Sequence, residues 1–234
     1  MITLEPRIVF SLGIPSSGKS TALKEVTKTI PNAFYLDRDD IINGLLHVSQ
    51  TSTDELPKFE EYVKNDDVFP NHARYVNTPF GEMIKIYPLN AFNRRHGRDQ
   101  TYLIQFVLAR RGLDLGKVPI LDCFLPRQIK DGTLKKILDQ DLFSDTPKFL
   151  IHFAVEEEEC YQRCIKRVRE NPEEEKRTSS FVASREEFSR LYREKFDLFP
   201  PELKEYQEKY NFLTIDTTYK PPEEVAKECI KFIS

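Results

Sequence analysis

The amino-acid sequence predicts a three-layer α/β fold with a five-stranded parallel sheet. Five short runs of β-branched and aromatic residues alternate with segments whose apolar residues recur at helical spacing. This alternation implies parallel strands joined by right-handed crossovers, with helices on the faces of the sheet. At 234 residues, 39% of them hydrophobic, the chain is long enough to bury one sizeable core and short for two. We therefore expect a single domain over residues 1–234.

The first elements along the chain are a strand, a helix and a second strand. The apolar run at 7–12 ends at Gly13, and the helical spacing that follows stops at Pro31. The pattern predicts strand 7–12, helix 19–29, strand 33–36 and a helix through Ile41, Ile42, Leu45 and Leu46. These elements make a βαβ opening.

A polar central subregion separates this opening from the remaining strands. Residues at about 48–98 are weakly periodic, so we interpret them as an insertion within the domain.

Ser184 followed by Glu187 is a capping-box signature, and Pro222 is placed to open the last helix. The predicted elements are helix 100–111, strand 118–123, a helix around 134–138, strand 149–155, helix 156–169, a lid at about 160–182, helix 184–196, strand 212–216 and a helix from 222.

Composition and charge exclude several classes of protein. Lys and Arg number 35 against 38 Asp and Glu, and the net charge of -3 gives no global attraction to nucleic acid or to an anionic membrane. Any polyanion site must therefore be a local basic patch. No apolar stretch of 18 residues occurs, and the N-terminus lacks a basic flank before an apolar run. We expect a soluble, cytoplasmic protein without a membrane partner; its oligomeric state, a homo-oligomer included, is left open.

The four cysteines and four histidines form no disulfide or metal pattern. Cys160 and Cys164 share a helical face, but no CxxC pair or neighbouring His accompanies them. We expect all four cysteines to be free structural thiols.

The segment Gly13–Ser20 has the pattern G-x-x-x-x-G-K-S and lies between a predicted strand and a predicted helix. Its glycines permit a tight turn whose backbone N–H groups face phosphate oxygens, and the helix that begins near Lys19 adds its positive dipole end. In such a loop the lysine reaches the β- and γ-phosphates, and the hydroxyl of Ser20 holds Mg²⁺. We expect a Mg²⁺-bound nucleoside triphosphate, ATP or GTP; an ordinary glycine-rich turn is the alternative. The predicted nucleotide-binding residues are Gly13, Ser16, Ser17, Gly18, Lys19, Ser20 and Thr21.

An acidic residue at the end of the third predicted strand suits the same ligand. Asp122 ends an apolar run, which places its carboxylate at the carboxyl edge of the sheet, where such folds bind ligands. We expect Asp122 and Ser20 to hold the Mg²⁺ ion, directly or through water. A turn residue or helix cap is the alternative for Asp122.

A charged segment follows the second predicted strand. The carboxylates of Asp37, Asp39 and Asp40 emerge at the same sheet edge, where a kinase needs a base to orient the attacking hydroxyl and accept its proton. Helix capping is the alternative, because Asp is favoured in a first turn.

Two arginines on the helix after the fourth strand can act on the phosphates. Arg163 and Arg167 are four residues apart and share a face. Their guanidinium groups can close over the triphosphate and stabilise charge on the transferred phosphoryl group. A solvated charged helix is the alternative, since Glu159 is placed to pair with Arg163.

The densest basic cluster in the chain is Asn93-Arg94-Arg95-His96-Gly97-Arg98, with Tyr75, Tyr87 and Phe92 near it in sequence. Fixed cations suit backbone phosphates, and flat rings suit unpaired bases. Arg94 and Arg95 are therefore candidate nucleic-acid contacts; a surface loop paired with neighbouring acids is the alternative.

Taken together, the order of these motifs resembles the phage-type polynucleotide 5′-hydroxyl kinases, which are P-loop kinases. The resemblance covers most of the chain except about 48–98. It implies that Arg38-Asp39-Asp40 is the acceptor motif with Asp39 as general base, that Arg38 contacts the substrate, and that Arg163 and Arg167 are lid arginines. Lys19, Asp39, Arg163 and Arg167 would then be catalytic.

The implied activity is transfer of the γ-phosphoryl group of ATP or GTP to a nucleic-acid hydroxyl, most simply a polynucleotide 5′-OH. A hydroxymethyl group on a modified DNA base, or a small metabolite, is the alternative acceptor. A non-catalytic nucleotide-binding switch is a third possible function. The acceptor motif and the arginine pair argue against it, because a switch needs neither.

Overall fold

The structure, a computed structural model, describes residues 3–38, 41, 74–77, 83–86, 94–123, 129–130, 132–139, 143–170, 184–196 and 200–234. Its strands are β1 (Ile8–Leu12), β2 (Ala33–Asp37), β3 (Arg74–Asn77), β4 (Met83–Ile86), β5 (Val118–Asp122), β6 (Lys148–Ala154) and β7 (Asn211–Asp216). Its helices are α1 (Lys19–Thr29), α2 (Arg94–Asp114), α3 (Thr133–Asp139), α4 (Glu157–Glu170), α5 (Arg185–Phe196), α6 (Pro200–Lys209) and α7 (Pro222–Ile233).

Five of the strands form one parallel sheet in the order β2-β5-β1-β6-β7, which confirms the predicted fold class. β1 and β5 are buried along their whole length, as expected for inner strands covered on both faces. The register pairs Ser11 with Asp122 and Leu12 with His152. The carboxyl ends of β1, β5 and β6 therefore meet at one edge of the sheet, where ligands of such folds bind.

Helices α1 and α7 cover one face of this sheet. Val9, Ile151 and Phe153 of the strands belong to the same buried cluster as side chains from both helices. On the opposite face, the ring of Phe10 meets Phe143 edge to face at 5.8 Å between centroids. Burying a side chain of this size contributes about 1.5–3 kcal/mol. The alternation of Val9 and Phe10 between two covered faces accounts for the almost unbroken apolar run that predicted the strand.

The chain divides into two compact units, residues 1–35 with 110–234 and residues 36–109. In the second unit β3 and β4 pair as an antiparallel hairpin, with Arg74 opposite Ile86. The sequence gives little signal for this hairpin because its strands are four residues each in a polar context. Most of the insertion predicted at about 48–98 lies outside the described residues, and the single-domain arrangement stays a prediction.

Several element boundaries differ from the prediction. α2 begins at Arg94, six residues before the predicted start, so the basic cluster belongs to the first turns of a helix. α6 was not predicted, although Pro200 suits a helix start and Leu203 and Tyr206 are buried at helical spacing. Of the helix predicted through Leu46, only Ile41 is described. Among the helices described, none has the length and apolar character to cross a membrane.

Candidate functional site

The loop between β1 and α1 has a backbone that glycine makes possible. Gly13 has a φ of 143° and Gly18 a φ of 86°, both in regions that side chains rarely adopt. A Cβ atom on Gly13 would lie 2.7 Å from the carbonyl oxygen of Phe153. Ser16 also has a positive φ of 65°, which is uncommon for a residue with a side chain. The loop is therefore held in an unusual shape against the end of β6.

The first turn of α1 leaves this loop with donors for an anion. Gly18 is the N-cap residue, no side chain caps the helix, and its first turn contains no acidic residue. The N–H groups and the positive dipole end of an uncapped helix suit a phosphate. The buried hydroxyl of Ser17 has no hydrogen-bond partner among the described residues. An orphaned polar atom of this kind is expected where a ligand completes a site.

Lys19 brings a positive charge into the same loop. The residue is buried, with 8% of its surface exposed. Its Nζ donates to the carbonyl oxygens of Gly13 at 2.9 Å and Ile14 at 3.0 Å. The ammonium thus spans the loop from the helix to the strand end. A cation in this position can meet the oxygens of a phosphate chain lying in the loop.

Ser20 and Asp122 are adjacent at the edge of the sheet. The hydroxyl of Ser20 donates to Oδ2 of Asp122 at 2.5 Å. The same Oδ2 accepts the hydroxyl of Tyr35 at 2.6 Å, and Ser11 lies 3.4 Å from Oδ1. Hydroxyl and carboxylate oxygens are the hard donors that Mg²⁺ prefers. The residues present therefore fit the predicted ion, although no group of three or more acidic, His or Cys ligands occurs among the described residues.

Arg163 of α4 lies beside the loop and is held there by several bonds. Its guanidinium donates to Glu159 at 2.8 Å and to the carbonyl oxygens of Thr217 at 2.6 Å and Thr218 at 3.0 Å. Nη1 lies 3.6 Å from the place where a Cβ on Gly18 would stand. The predicted pairing with Glu159 is thus real, and the same guanidinium also faces the loop between β1 and α1. Arg167, one turn further along, is exposed.

Thr217, which follows β7, ties three parts of the site together. Its Oγ1 lies 2.8 Å from the carbonyl oxygen of Ser17 and 2.9 Å from that of Ala154, and it accepts a bond from Arg163 at 3.3 Å. The residue is buried, so these bonds are shielded from water. The sequence reading missed Thr217. Its position directly after a predicted strand, at the ligand edge, is the signal that could have indicated it.

A cleft of about 350 Å³ opens between the loop, α4 and the start of α7. Four of its lining residues are basic, namely Arg163, Lys166, Arg167 and Lys220, and its apolar lining comes from Ala22, Pro222 and Val225. Ser16, Gly18, Thr21 and Thr217 complete the wall. The structure therefore brings together the predicted residues Ser16, Gly18, Thr21, Arg163 and Arg167 around one cavity, and adds Lys166 and Lys220 to them.

The thiols of α4 pack against the loop between β1 and α1. Cys164 contacts the hydroxyl of Ser16 at 3.1 Å, and Cys160 contacts the carbonyl oxygen of Pro15 at 3.4 Å. None of the four cysteines forms a disulfide, as the sequence predicts, and all four are buried. The hydrogen bond with Cys164 and burial raise the pKa of the Cys160 thiol well above its usual range. This thiol is therefore protonated and unreactive at neutral pH.

His152 of β6 is kept neutral next to the loop. Burial, and after it the charge of Lys19, lowers the pKa of His152 to about 4. An imidazolium here would add a second buried positive charge close to Lys19. The neutral form of His152 avoids this repulsion.

The predicted acceptor residues are only partly described. Arg38 donates to the hydroxyl of Tyr102 at 2.9 Å and stacks on its ring at 5.3 Å, both within the second unit. Asp39 and Asp40 lie outside the described residues. Arg94 and Arg95 are the first residues of α2. Their predicted roles stay predictions.

Comparison with known proteins concerns the fold. No family model matches the chain, and no curated protein matches it either. A presumed kinase from Chloroflexus aurantiacus superimposes with a TM-score of 0.51 at 13% identity, over 97% of this chain and 95% of that one. A sugar kinase from a Janibacter species reaches a TM-score of 0.45 at 14% identity, over 97% and 94% of the two chains. At this level of identity the first likeness establishes the α/β fold and leaves the chemistry to the residues of the site.

Proposed function

We propose that this protein is a P-loop phosphotransferase that moves the γ-phosphoryl group of a Mg²⁺-bound nucleoside triphosphate to a hydroxyl of a nucleic acid, most simply a polynucleotide 5′-OH. The observation that carries the proposal is the convergence of different phosphate-directed groups on one loop. These are the uncapped start of α1, the Lys19 ammonium, the Ser20–Asp122 pair and the Arg163 guanidinium.

Phosphoryl transfer depends chiefly on positioning and on stabilising negative charge. The α1 N–H groups and Lys19 would hold the β- and γ-phosphates in the loop. Arg163, fixed by the Thr217 and Thr218 carbonyls, would stand where charge develops on the transferred group without having to reorganise. Mg²⁺, held by Ser20 and Asp122, would supply neutralisation of the phosphate oxygens.

The cleft beside the loop supports the nucleoside part of this assignment. Its volume of about 350 Å³ falls in the range of small-molecule pockets. The apolar side chains of Ala22, Pro222 and Val225 would contact the flat base, and the basic side chains would lie toward the phosphates. Neither ATP nor GTP is favoured by these residues.

The acceptor side of the proposal depends on Asp39, which the resemblance makes the general base. Arg38 supports it, because its bond to Tyr102 fixes the first residue of the Arg38-Asp39-Asp40 motif. We propose that Arg38 contacts the acceptor, that Arg94 and Arg95 bind its backbone phosphates, and that Arg167 joins Arg163 over the triphosphate. Asp39 would orient the attacking 5′-hydroxyl and take its proton as the new O–P bond forms. The bond between the γ-phosphorus and the β–γ bridging oxygen breaks in the same transfer, and the nucleoside diphosphate leaves.

A phosphate-transfer assay tests the proposal. ATP labelled at the γ-phosphate is incubated with DNA and RNA oligonucleotides that carry a 5′-OH, and with 5′-phosphorylated copies as blanks. Wild type should label only the 5′-OH ends. Lys19→Ala and Asp39→Asn should each lower the rate by about 100-fold or more.

Lys28→Ala is the matched control for Lys19→Ala, because Lys28 lies on the same helix, is exposed and pairs with Glu25. Its rate should equal that of wild type, and circular dichroism should show that all the variants are folded. Full activity of Lys19→Ala would refute the phosphotransferase. Transfer to a hydroxymethylated base or a small alcohol, but not to 5′-OH ends, would refute the polynucleotide acceptor, and phosphate release without any acceptor would indicate a switch or hydrolase.

A further inference from the structure

We propose that Tyr35 is a positioning residue of the metal-nucleotide site: its hydroxyl holds the Asp122 carboxylate in the orientation that aligns the hydroxyl of Ser20. The inference rests on the proposed function, because it concerns how that site receives a Mg²⁺-bound nucleotide. Sequence reading gives Tyr35 no role, since it is an aromatic residue within an apolar strand.

The two hydroxyls converge on one oxygen atom. Oδ2 of Asp122 accepts Ser20 at 2.5 Å and Tyr35 at 2.6 Å. A carboxylate oxygen accepts hydrogen bonds and has no donor of its own, so both hydroxyls donate to it. Asp122 is 8% exposed, so water replaces a lost hydroxyl poorly.

The other carboxylate oxygen is anchored from within the sheet. Ser11 lies directly opposite Asp122 in the β1–β5 register and places its hydroxyl 3.4 Å from Oδ1. The N–H of Cys123 donates to the same Ser11 hydroxyl at 3.2 Å, which fixes it. A carboxylate rotates easily about its last bond, and anchors on both oxygens restrict that rotation.

Tyr35 is itself held in place. The ring packs against the buried core beneath α1, and the ammonium of Lys24 lies 5.4 Å from the ring centroid. Its hydroxyl therefore approaches Asp122 from a rigid support on the neighbouring strand β2. A phenylalanine can fill the same place and lacks only the hydroxyl.

The consequence concerns Ser20. A hydroxyl can donate its hydrogen to Asp122 and still offer lone pairs to a cation, but only while the carboxylate keeps its orientation. Partners that orient the direct ligands of a metal typically change its affinity by about 10–100-fold. We therefore expect Tyr35→Phe to weaken the contribution of Mg²⁺ to nucleotide binding and to leave the phosphate loop itself intact.

Binding of a fluorescent ATP analogue, measured with EDTA and again with MgCl₂, separates these effects. Wild type and Tyr35→Phe should have the same Kd in EDTA, and the gain in affinity on adding Mg²⁺ should be about 10-fold or more smaller in the variant. Titration of Mn²⁺ into the nucleotide complex, followed by electron paramagnetic resonance, should show the same loss of metal affinity. Tyr210→Phe is the matched control, because Tyr210 makes a similar 2.7 Å bond to Asp139.

Each result has a distinct meaning. An unchanged Mg²⁺ response in Tyr35→Phe overturns the inference and leaves the proposed function standing. An equal loss of affinity in EDTA and in Mg²⁺ also overturns it, because Tyr35 would then support the loop rather than the metal-binding pair. If wild type itself gains no affinity from Mg²⁺, the proposed function fails and the inference fails with it.

Discussion

Replacing His152 should reduce the loss of folding stability that this protein shows as the pH falls. Burial, with the charge of Lys19 as the second cause, lowers the pKa of His152 from 6.5 to about 4. Between these values the unfolded chain binds a proton at His152 and the folded chain does not. Folding stability associated with the neutral side chain is therefore present above pH 6.5 and is lost as the pH falls toward 4.

The size of the effect follows from the two pKa values. Linkage gives a loss of about 2 kcal/mol between pH 7 and pH 5, and about 3 kcal/mol once the pH is below 4. Carboxyl groups whose pKa is lowered, such as Glu157 and Asp139, contribute mainly below pH 5, because their ordinary values are 4.5 and 3.8. These carboxyl groups therefore change the stability little over the interval from pH 7 to pH 5.

Urea unfolding of wild type and His152→Gln at pH 7, 6 and 5 measures this loss. Glutamine stays uncharged throughout, so any cost of repacking is the same at each pH and cancels in the comparison. We expect the free energy of unfolding of wild type to fall by about 2 kcal/mol more than that of the variant over this interval. Parallel pH profiles for the two proteins would refute the lowered pKa of His152.

Three further predictions concern the loop between β1 and α1 and the residues that contact it. Gly13→Ala should abolish ATP-analogue binding and should lower the free energy of unfolding by more than the roughly 1–2 kcal/mol expected of Gly116→Ala. The reason is that a Cβ on Gly13 meets a carbonyl oxygen at 2.7 Å, whereas a Cβ on Gly116 meets nothing within 4 Å. Equal effects of the two variants in urea unfolding would contradict this. Thr217→Val should cost about 1–2 kcal/mol in urea unfolding and weaken ATP-analogue binding, and Thr217→Ser should restore both; a silent Thr217→Val would show that the tie is dispensable. Arg163→Ala should lower kcat for phosphate transfer by about 100-fold, and Arg163→Lys should restore little of it. Arg169 is exposed on the same helix, so Arg169→Ala should leave kcat unchanged. Equal losses of kcat in the two alanine variants would argue against a specific role for Arg163.

The features that sequence predicted best are those fixed by local chemistry. Gly13 and Gly18 indicate backbone shapes that other residues rarely adopt, and the apolar run of β1 needs cover on both faces wherever it lies. These signals are contained within a few residues. The loop, the strand before it and the helix after it could therefore be located without the structure.

The features that sequence missed depend on which strands become neighbours. Tyr35 and Asp122 are 87 residues apart, and Ser17 and Thr217 are 200 apart. Their pairing follows from the strand order β2-β5-β1-β6-β7, which alternation of strands and helices does not specify. The early start of α2 was missed for a different reason, because the charged segment from Arg94 carries no apolar periodicity.

The hydrogen bond between Thr217 and Ser17 also bears on when the loop between β1 and α1 can take its shape. A ribosome makes residue 217 long after residue 17, and β7 must dock beside β6 before the threonine hydroxyl can reach the loop. Contacts between such distant parts of a chain form late and slow folding. Arg163 also needs the carbonyls of Thr217 and Thr218 to be held at the loop. A nascent chain that lacks β7 therefore cannot make these bonds to the loop and to Arg163, and the proposed nucleotide binding would require a completed sheet.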